Sequence, residues 1–119
     1  MKFIIYLLSL IFSLFLQAYD ENDLTTLKKT HKCENCDLTN ANLSKLDLSN
    51  AMLSGANLSL ANLTNTNFFK ADLSYSSLVK SKIYIANLDS ANLEGAHLTE
   101  ARVNGASFCL LYTSPRPRD

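Results

Sequence analysis

The feature that most constrains this chain is a five-residue period that begins at Cys36 and continues without interruption for fifteen blocks. The middle residue of every block is large and apolar, and the residue two positions earlier is small in fourteen blocks, with Leu46 as the exception. Nine of the fifteen residues that directly precede the centre are Asn or Asp. A chain with this period must repeat one small structural unit along its length.

Neither regular secondary structure accommodates this period. A step of five turns a helix by about 140°, so no apolar stripe would form along a helix. On a flat strand an odd step would alternate the central residues between the two faces. To keep all the central residues on the inner side, the chain must turn a corner every five residues. Four such sides close a coil of about twenty residues. Small residues suit a narrow interior, while Asn, Asp, Ser and Thr suit corners where their side chains bond nearby backbone.

The blocks resemble the pentapeptide-repeat family, whose motif is a small residue, Asp or Asn, Leu and two variable residues. The resemblance implies an all-β solenoid, a right-handed quadrilateral β-helix of pentapeptide repeats over residues 36–108, with a short N-terminal capping helix. Successive coils should stack at about 4.8 Å. The central residues then form four interior ladders: Leu38, Leu58, Leu78 and Leu98; Leu43, Leu63, Ile83 and Val103; Leu48, Phe68, Leu88 and Phe108; and Leu53, Leu73 and Leu93.

The N-terminal residues 1–18 have the pattern of a secretory signal peptide. Lys2 supplies one positive charge, an apolar core follows from Phe3 to Leu16, and Ala18 ends a short polar exit. The core is shorter than the roughly 20 residues that span a bilayer. We therefore expect cleavage after Ala18 and an exported protein, periplasmic or extracellular. The alternative is an uncleaved segment that anchors the chain to the membrane.

Residues 109–119 differ in composition from the preceding blocks, since they hold both prolines and two of the three arginines. They resemble translated read-through of a sequencing adapter, so we expect an artefactual tail and a natural chain that continues differently after Phe108. The alternative is a genuine polar tail. Without both ends, residues 19–108 carry eight Lys+Arg and ten Asp+Glu, which gives a net charge of −2.

A stacked coil exposes its interior at both ends, so each end needs a cover. Residues 19–35 fit an N-terminal helical cap: acidic residues start the segment from Asp20, Lys28 and Lys29 end it, and Leu24 and Leu27 would face the first coil. No comparable segment follows the last block. Further coils, a terminal helix or a homodimer through the uncapped C-terminal coil would satisfy that end.

Cys33 and Cys36 lie where the cap meets the first coil. In an exported protein this pair is a candidate disulfide, and two free buried thiols are the alternative. His31 adds a third potential metal ligand, but a closed zinc site needs four and no fourth is apparent. The sequence therefore predicts no metal and no cofactor.

The sequence shows no catalytic constellation, because it lacks a phosphate-binding loop, paired carboxylates and an HExxH motif. His97 fits an exposed side chain rather than a catalytic one. We interpret the chain as a non-enzymatic exported scaffold that binds an unknown protein or envelope partner, and expect neither nucleic acid nor a small-molecule substrate. Some pentapeptide-repeat relatives mimic DNA and protect DNA gyrase. That alternative is disfavoured by the signal peptide, the short length and the near-zero charge, and an envelope enzyme is weaker still.

Apolar residues at outward positions are the clearest departure from the motif. By twenty-residue stacking, Leu60, Val79, Tyr84 and Ile85 lie on or beside two adjoining faces, which makes them a candidate partner surface. Phe69 and Tyr75 are outward as well. The alternative is scattered exposure from degenerate repeats.

Overall fold

The computed structural model describes residue 4 and residues 19–109. Within residues 19–109 the chain forms one helix, α1, Glu21–Thr30. The Asp20 carboxylate accepts hydrogen bonds from the second and third backbone amides of α1, and His31 ends it in a left-handed conformation with its N–H donating to Leu27 O. Acidic residues in the first turn and Lys28 and Lys29 in the last complement the helix dipole.

The rest of the described chain is a coil with a constant register. One residue of each five forms a parallel bridge with the residue twenty positions further on, from Lys32 with Met52 to Asn87 with Ser107. Backbone N–H groups follow the same register; Leu43, for example, donates to Asn62 O at 2.9 Å. The predicted coil of twenty residues with four five-residue sides is therefore confirmed.

Two features of the coil refine the predicted architecture. Within residues 19–109 the pairing consists of isolated bridges and not of extended strands, because two of every five residues form a turn. The described residues therefore form the predicted coil without continuous strands. The coil also begins one block before Cys36, since Lys32 already pairs with Met52 and Cys33 occupies a buried central position.

The interior agrees with the predicted ladders through most of the coil. The central residues from Leu38 to Leu88 are all 0–1% exposed, with Phe68 the largest of them. In the last coil Leu93 and Leu98 are partly buried and Val103 is 39% exposed, because no further described coil lies over them. Each fully buried Leu contributes about 1.5–3 kcal/mol.

The small residues two positions before the centre are buried from Ala41 to Ala91, and the polar ones among them find partners. Most are alanines, and where a hydroxyl replaces one it bonds to backbone: Thr66 donates to Leu43 O, Ser76 to Leu73 O and Ser81 to Leu78 O at 2.6–2.8 Å. No buried side-chain nitrogen or oxygen of the described residues lacks a hydrogen-bond partner. A narrow interior thus admits a hydroxyl only where a carbonyl is in reach.

The Asn and Asp residues of the motif shape the corners. All nine that directly precede a central residue accept a hydrogen bond from the N–H two residues on, at 2.9–3.1 Å, as in an Asx turn. Each corner then has a positive φ at the last residue of its block, as a type II turn requires. Asn and Gly adopt that conformation with least strain.

Helix α1 covers the first coil. Leu27 is fully buried and Leu24 packs partly against the core. Backbone and side-chain bonds join the two parts: Asp20 N–H donates to Asp37 O, and Asp37 N–H donates to the Asp23 carboxylate at 2.8 Å. The predicted helix is thus present and its apolar residues face the coil.

The predicted signal peptide lies outside the described residues, apart from residue 4, and so does the predicted tail from residue 110 onward. Among the described residues there is no helix with the length and apolarity needed to cross a membrane. Cys109 still follows the coil register, because Ser90 N–H donates to Cys109 O at 2.9 Å.

Candidate partner-binding surface

The twenty-residue register sorts the surface into four faces. Face 1 comprises residues 31–35, 51–55, 71–75 and 91–95, face 2 comprises 36–40, 56–60, 76–80 and 96–100, and face 3 comprises 41–45, 61–65, 81–85 and 101–105. Face 4 comprises residues 46–50, 66–70, 86–90 and 106–109. We call 41–45 and 61–65 the lower half of face 3, and 81–85 and 101–105 its upper half.

The four candidate surface residues lie on face 3 or at its two edges. Leu60 is at the corner between faces 2 and 3, and its N–H donates to Val79 O in the next coil at 2.9 Å. Tyr84 lies on face 3, and Ile85 is at the corner between faces 3 and 4. Phe69 lies instead on face 4, and Tyr75 at the corner between faces 1 and 2.

Two of these residues occupy corners that their side chains disfavour. Leu60 has φ 61° and Ile85 has φ 48°, and they are 51% and 58% exposed. A left-handed conformation costs about 1–2 kcal/mol for residues other than glycine, and a β-branched residue in it is rare. The Ile85 side chain lies over the next corner, since a Cβ on Gly105 would meet its Cγ2 at 2.8 Å. Here an exposed apolar residue and backbone strain coincide.

Two cations lie between the apolar borders, and the sequence-based hypothesis did not include them. Lys82 and Arg102 form a parallel bridge in adjacent coils, the only one of the twelve bridges that joins two charged residues. Arg102 Nη1 donates to Tyr84 Oη at 3.3 Å, and this hydrogen bond raises the pKa of Arg102, which stays charged. Lys82 and Arg102 are twenty residues apart, so the spacing that predicts the leucine ladders could also have predicted this pair.

Face 3 differs from its neighbours in charge. It carries three cations, Lys45, Lys82 and Arg102, and no Asp or Glu at any of its twenty positions. Faces 1, 2 and 4 each carry more carboxylates than cations within residues 31–109. No carboxylate of the described residues lies within ion-pairing distance of Lys82 or Arg102, whereas Lys80 Nζ is 3.8 Å from Glu100 Oε2. Face 3 is thus the cationic side of an otherwise mildly acidic coil.

A cleft of about 450 Å³ opens at the corner between faces 2 and 3. Its walls are one apolar and four charged side chains: Leu60, Lys80, Lys82, Glu100 and Arg102. Because Glu100 is paired with Lys80, the cations left without a counter-charge are Lys82 and Arg102. The cleft can therefore receive an anionic group beside an apolar one.

The upper half of face 3 also lacks the bonds that stabilise the corners elsewhere. Asn42 and Asn62 form Asx turns in the lower half, but Lys82 and Arg102 occupy the equivalent positions and have no acceptor for that bond. The local stability that the motif supplies is absent where the candidate surface lies.

The cysteines and histidines form a separate region. Cys33 and Cys36 are joined by a disulfide across the first corner of the coil, with Cα atoms 5.3 Å apart. Their sulfurs are therefore not available to a metal beside His31, and no three His, Cys, Asp or Glu side chains of the described residues are placed to hold a metal. His97 is exposed on face 2, where its backbone pairs with Ser77.

Comparisons with known proteins agree with this geometry. The family model described as pentapeptide repeats matches in eight copies over residues 32–69, 47–83 and 86–109. A pentapeptide repeat protein from Nostoc PCC 7120 is 30% identical, with a TM-score of 0.69, over 77% of this chain and 78% of that chain. The first match begins at residue 32, where the coil also begins.

Two further solved structures are similar. A pentapeptide repeat protein from the thylakoid lumen of Arabidopsis thaliana is 23% identical, with a TM-score of 0.50, over 88% of this chain and 79% of that chain. HetL, from Nostoc sp. strain PCC 7120, is 40% identical, with a TM-score of 0.49, over 63% of this chain and 37% of its own length. No curated protein matches. The repeat register, the corner chemistry and the family match together establish that this chain belongs to the pentapeptide-repeat family.

Proposed function

We propose that this protein is an exported, non-enzymatic scaffold that binds a protein partner through the upper half of face 3 and its apolar borders. Pentapeptide-repeat proteins are generally structural or binding proteins. Solved relatives imply a right-handed quadrilateral β-helix, and we take this coil to have that form. Such a solid rod has flat outer faces and an interior filled by its own side chains.

One observation carries the proposal. The block 81–85 has Lys82 in place of an Asx-turn residue and an exposed Ile85 at a strained corner. Asn or Gly at that corner would relieve the strain and reduce the apolar exposure. Aromatic and aliphatic anchors typically carry most of the energy of a protein interface, so the residues that weaken the fold here are those suited to binding.

The DNA-gyrase alternative finds less support on this surface. A DNA mimic requires a strongly acidic rod, whereas face 3 carries three cations and no carboxylate. A homodimer through the uncapped C-terminal coil is a second proposal for the assembly of this protein.

Site-specific photo-crosslinking tests the partner surface. A benzoylphenylalanine in place of Ile85 should give a discrete adduct in the native host, and the second-site change Leu60→Ser should abolish it. The matched control replaces Asn87, on face 4, and should give no such adduct. Equal adducts from positions 85 and 87, or an adduct that Leu60→Ser does not reduce, would contradict the proposed surface.

Export is tested separately. N-terminal sequencing of protein from the native host should find a chain that begins near Tyr19, outside the cytoplasm. A cytosolic chain that retains Met1 would refute export and would restore gyrase as a candidate partner.

A further inference from the structure

Among the twelve bridges of the described residues, one joins two side chains of like charge. Lys82 and Arg102 stand directly opposite each other in adjacent coils, an arrangement that is destabilising when the two charges face each other without compensation. Elsewhere charged side chains one coil apart have favourable neighbours: Lys80 pairs with Glu100, and Asn67 Nδ2 donates to the Asp47 carboxylate at 3.3 Å. An anion from outside the chain would relieve the repulsion between Lys82 and Arg102.

The cleft next to this pair has a mixed lining. Lys82 and Arg102 supply positive charge, Leu60 supplies an apolar wall, and the Tyr84 hydroxyl orients the Arg102 guanidinium. Its volume of about 450 Å³ lies in the range of ligand-binding clefts, about 300–1,000 Å³. Tyr and Arg beside an apolar anchor are the residues that protein interfaces favour.

The extent of the charge limits what can bind. The unpaired cations occupy the same position in two adjacent coils, which are about 4.8 Å apart, while the equivalent positions in the lower half are Asn42 and Asn62. A nucleic acid or an anionic membrane would need cations along the whole face. Two neighbouring cations beside one apolar wall match a short peptide that carries carboxylates next to an apolar side chain.

We propose that the cleft at the corner of faces 2 and 3 binds an acidic segment of the partner protein. Its carboxylates pair with Lys82 and Arg102, and a neighbouring apolar side chain packs on Leu60. Charge-assisted hydrogen bonds to Arg102 supply orientation, and the apolar contact supplies affinity. This inference rests on the proposed function, because it identifies the chemistry of a partner that this surface is proposed to bind.

The test compares two double variants of the full-length protein with the same change in net charge. Lys82→Asn with Arg102→Asn removes the paired cations and introduces the Asx-turn residue of the motif. Lys45→Asn with Lys70→Asn, the control, removes two cations at other corners, where Asn suits the positive φ. Because both variants introduce residues that the motif favours, both should remain folded, and thermal melting verifies this.

The probes are fluorescent peptides with two glutamates next to a leucine, and counterparts with two glutamines or with serine for leucine. We expect the first peptide to bind the wild-type protein at least tenfold more tightly than either counterpart. The variant at positions 82 and 102 should bind it at least tenfold more weakly, and the control should bind as the wild type does. No binding, no preference for glutamate, or equal weakening in both variants would overturn the inference. Tighter binding of anionic phospholipid vesicles or duplex DNA than of the peptide would also overturn it.

The photo-crosslink from position 85 separates this inference from the proposed function. If the adduct persists in the variant at positions 82 and 102, the surface binds a partner but the acidic recognition is wrong. If position 85 forms no adduct in the otherwise wild-type protein, the proposed function itself fails.

Discussion

In the lower half of face 3 the outward positions follow the repeat motif, whereas in the upper half the same positions carry Lys82, Arg102, Tyr84 and Ile85. Both halves share the same register and the same pattern of backbone hydrogen bonds between adjacent coils. Both enclose fully buried central residues, Leu63 below and Ile83 above. The comparison shows that the interior specifies the coil, while the outward residues are free to vary at a modest cost in local stability. A solenoid can therefore change one face without altering its fold.

The largest effect is expected from charged residues in the interior, which test whether both halves share one core. Leu63→Asp and Ile83→Asp should each destabilise the coil by more than about 4 kcal/mol, because each buries an unpaired carboxylate between adjacent coils. Chemical denaturation followed by circular dichroism measures this loss. The control Asn62→Asp lies one residue away and points outward, so it should change stability little. Comparable loss in the control would disprove the assignment of inside and outside.

The corner residues provide a sharper contrast between the halves. Ile85→Asn should stabilise the protein by about 1 kcal/mol, because Asn tolerates the left-handed conformation and leaves no apolar side chain exposed. The reciprocal change Asn65→Ile, at the equivalent corner of the lower half, should destabilise it by a similar amount. Melting temperatures of the two variants should therefore shift in opposite directions. A shift of the same sign would mean that packing, and not backbone strain, decides these corners.

Removing the side chain before the centre should destabilise the lower half but not the upper half, because only the lower half has Asx turns at these positions. Asn62→Ala removes the acceptor for Thr64 N–H and should cost about 0.5–1.5 kcal/mol. Lys82→Ala removes no such bond and should leave stability nearly unchanged or slightly increased, since it also removes one of two adjacent cations. Equilibrium unfolding in urea distinguishes the two outcomes. Equal destabilisation by both changes would contradict the role assigned to the Asx turns.

The smallest effect is a pH dependence. Hydrogen bonds from the Ser49 hydroxyl and amide lower the pKa of Asp47 below its ordinary value. Asp47 therefore contributes stability that is present above the ordinary carboxyl pKa of about 4 and is lost as pH falls through the lowered value. Asp47→Asn keeps an acceptor for Ser49, so its stability should match the wild type at pH 7 and fall less at acidic pH. Parallel pH profiles for the two proteins would refute this assignment.

The sequence by itself determined the repeat, the residues that face inward and the register of twenty. An odd period combined with a constant apolar centre admits no helix and no flat strand, so the coil follows from geometry alone. It also identified the corner chemistry, because Asn and Asp before the centre bond the backbone within their own block. These are local properties, and most blocks repeat them.

The tertiary structure decided the features that depend on contacts between blocks. It placed the start of the coil at Lys32 and joined Cys33 to Cys36, because a single atypical block is recognisable only once its partner coil is in place. It also limited the pairing to isolated bridges, since turns occupy two of every five residues. Finally, it set Lys82, Arg102 and Leu60 around one cleft. These side chains are 20 to 42 residues apart, and only stacking at the spacing of adjacent coils brings their charge and apolar surface together.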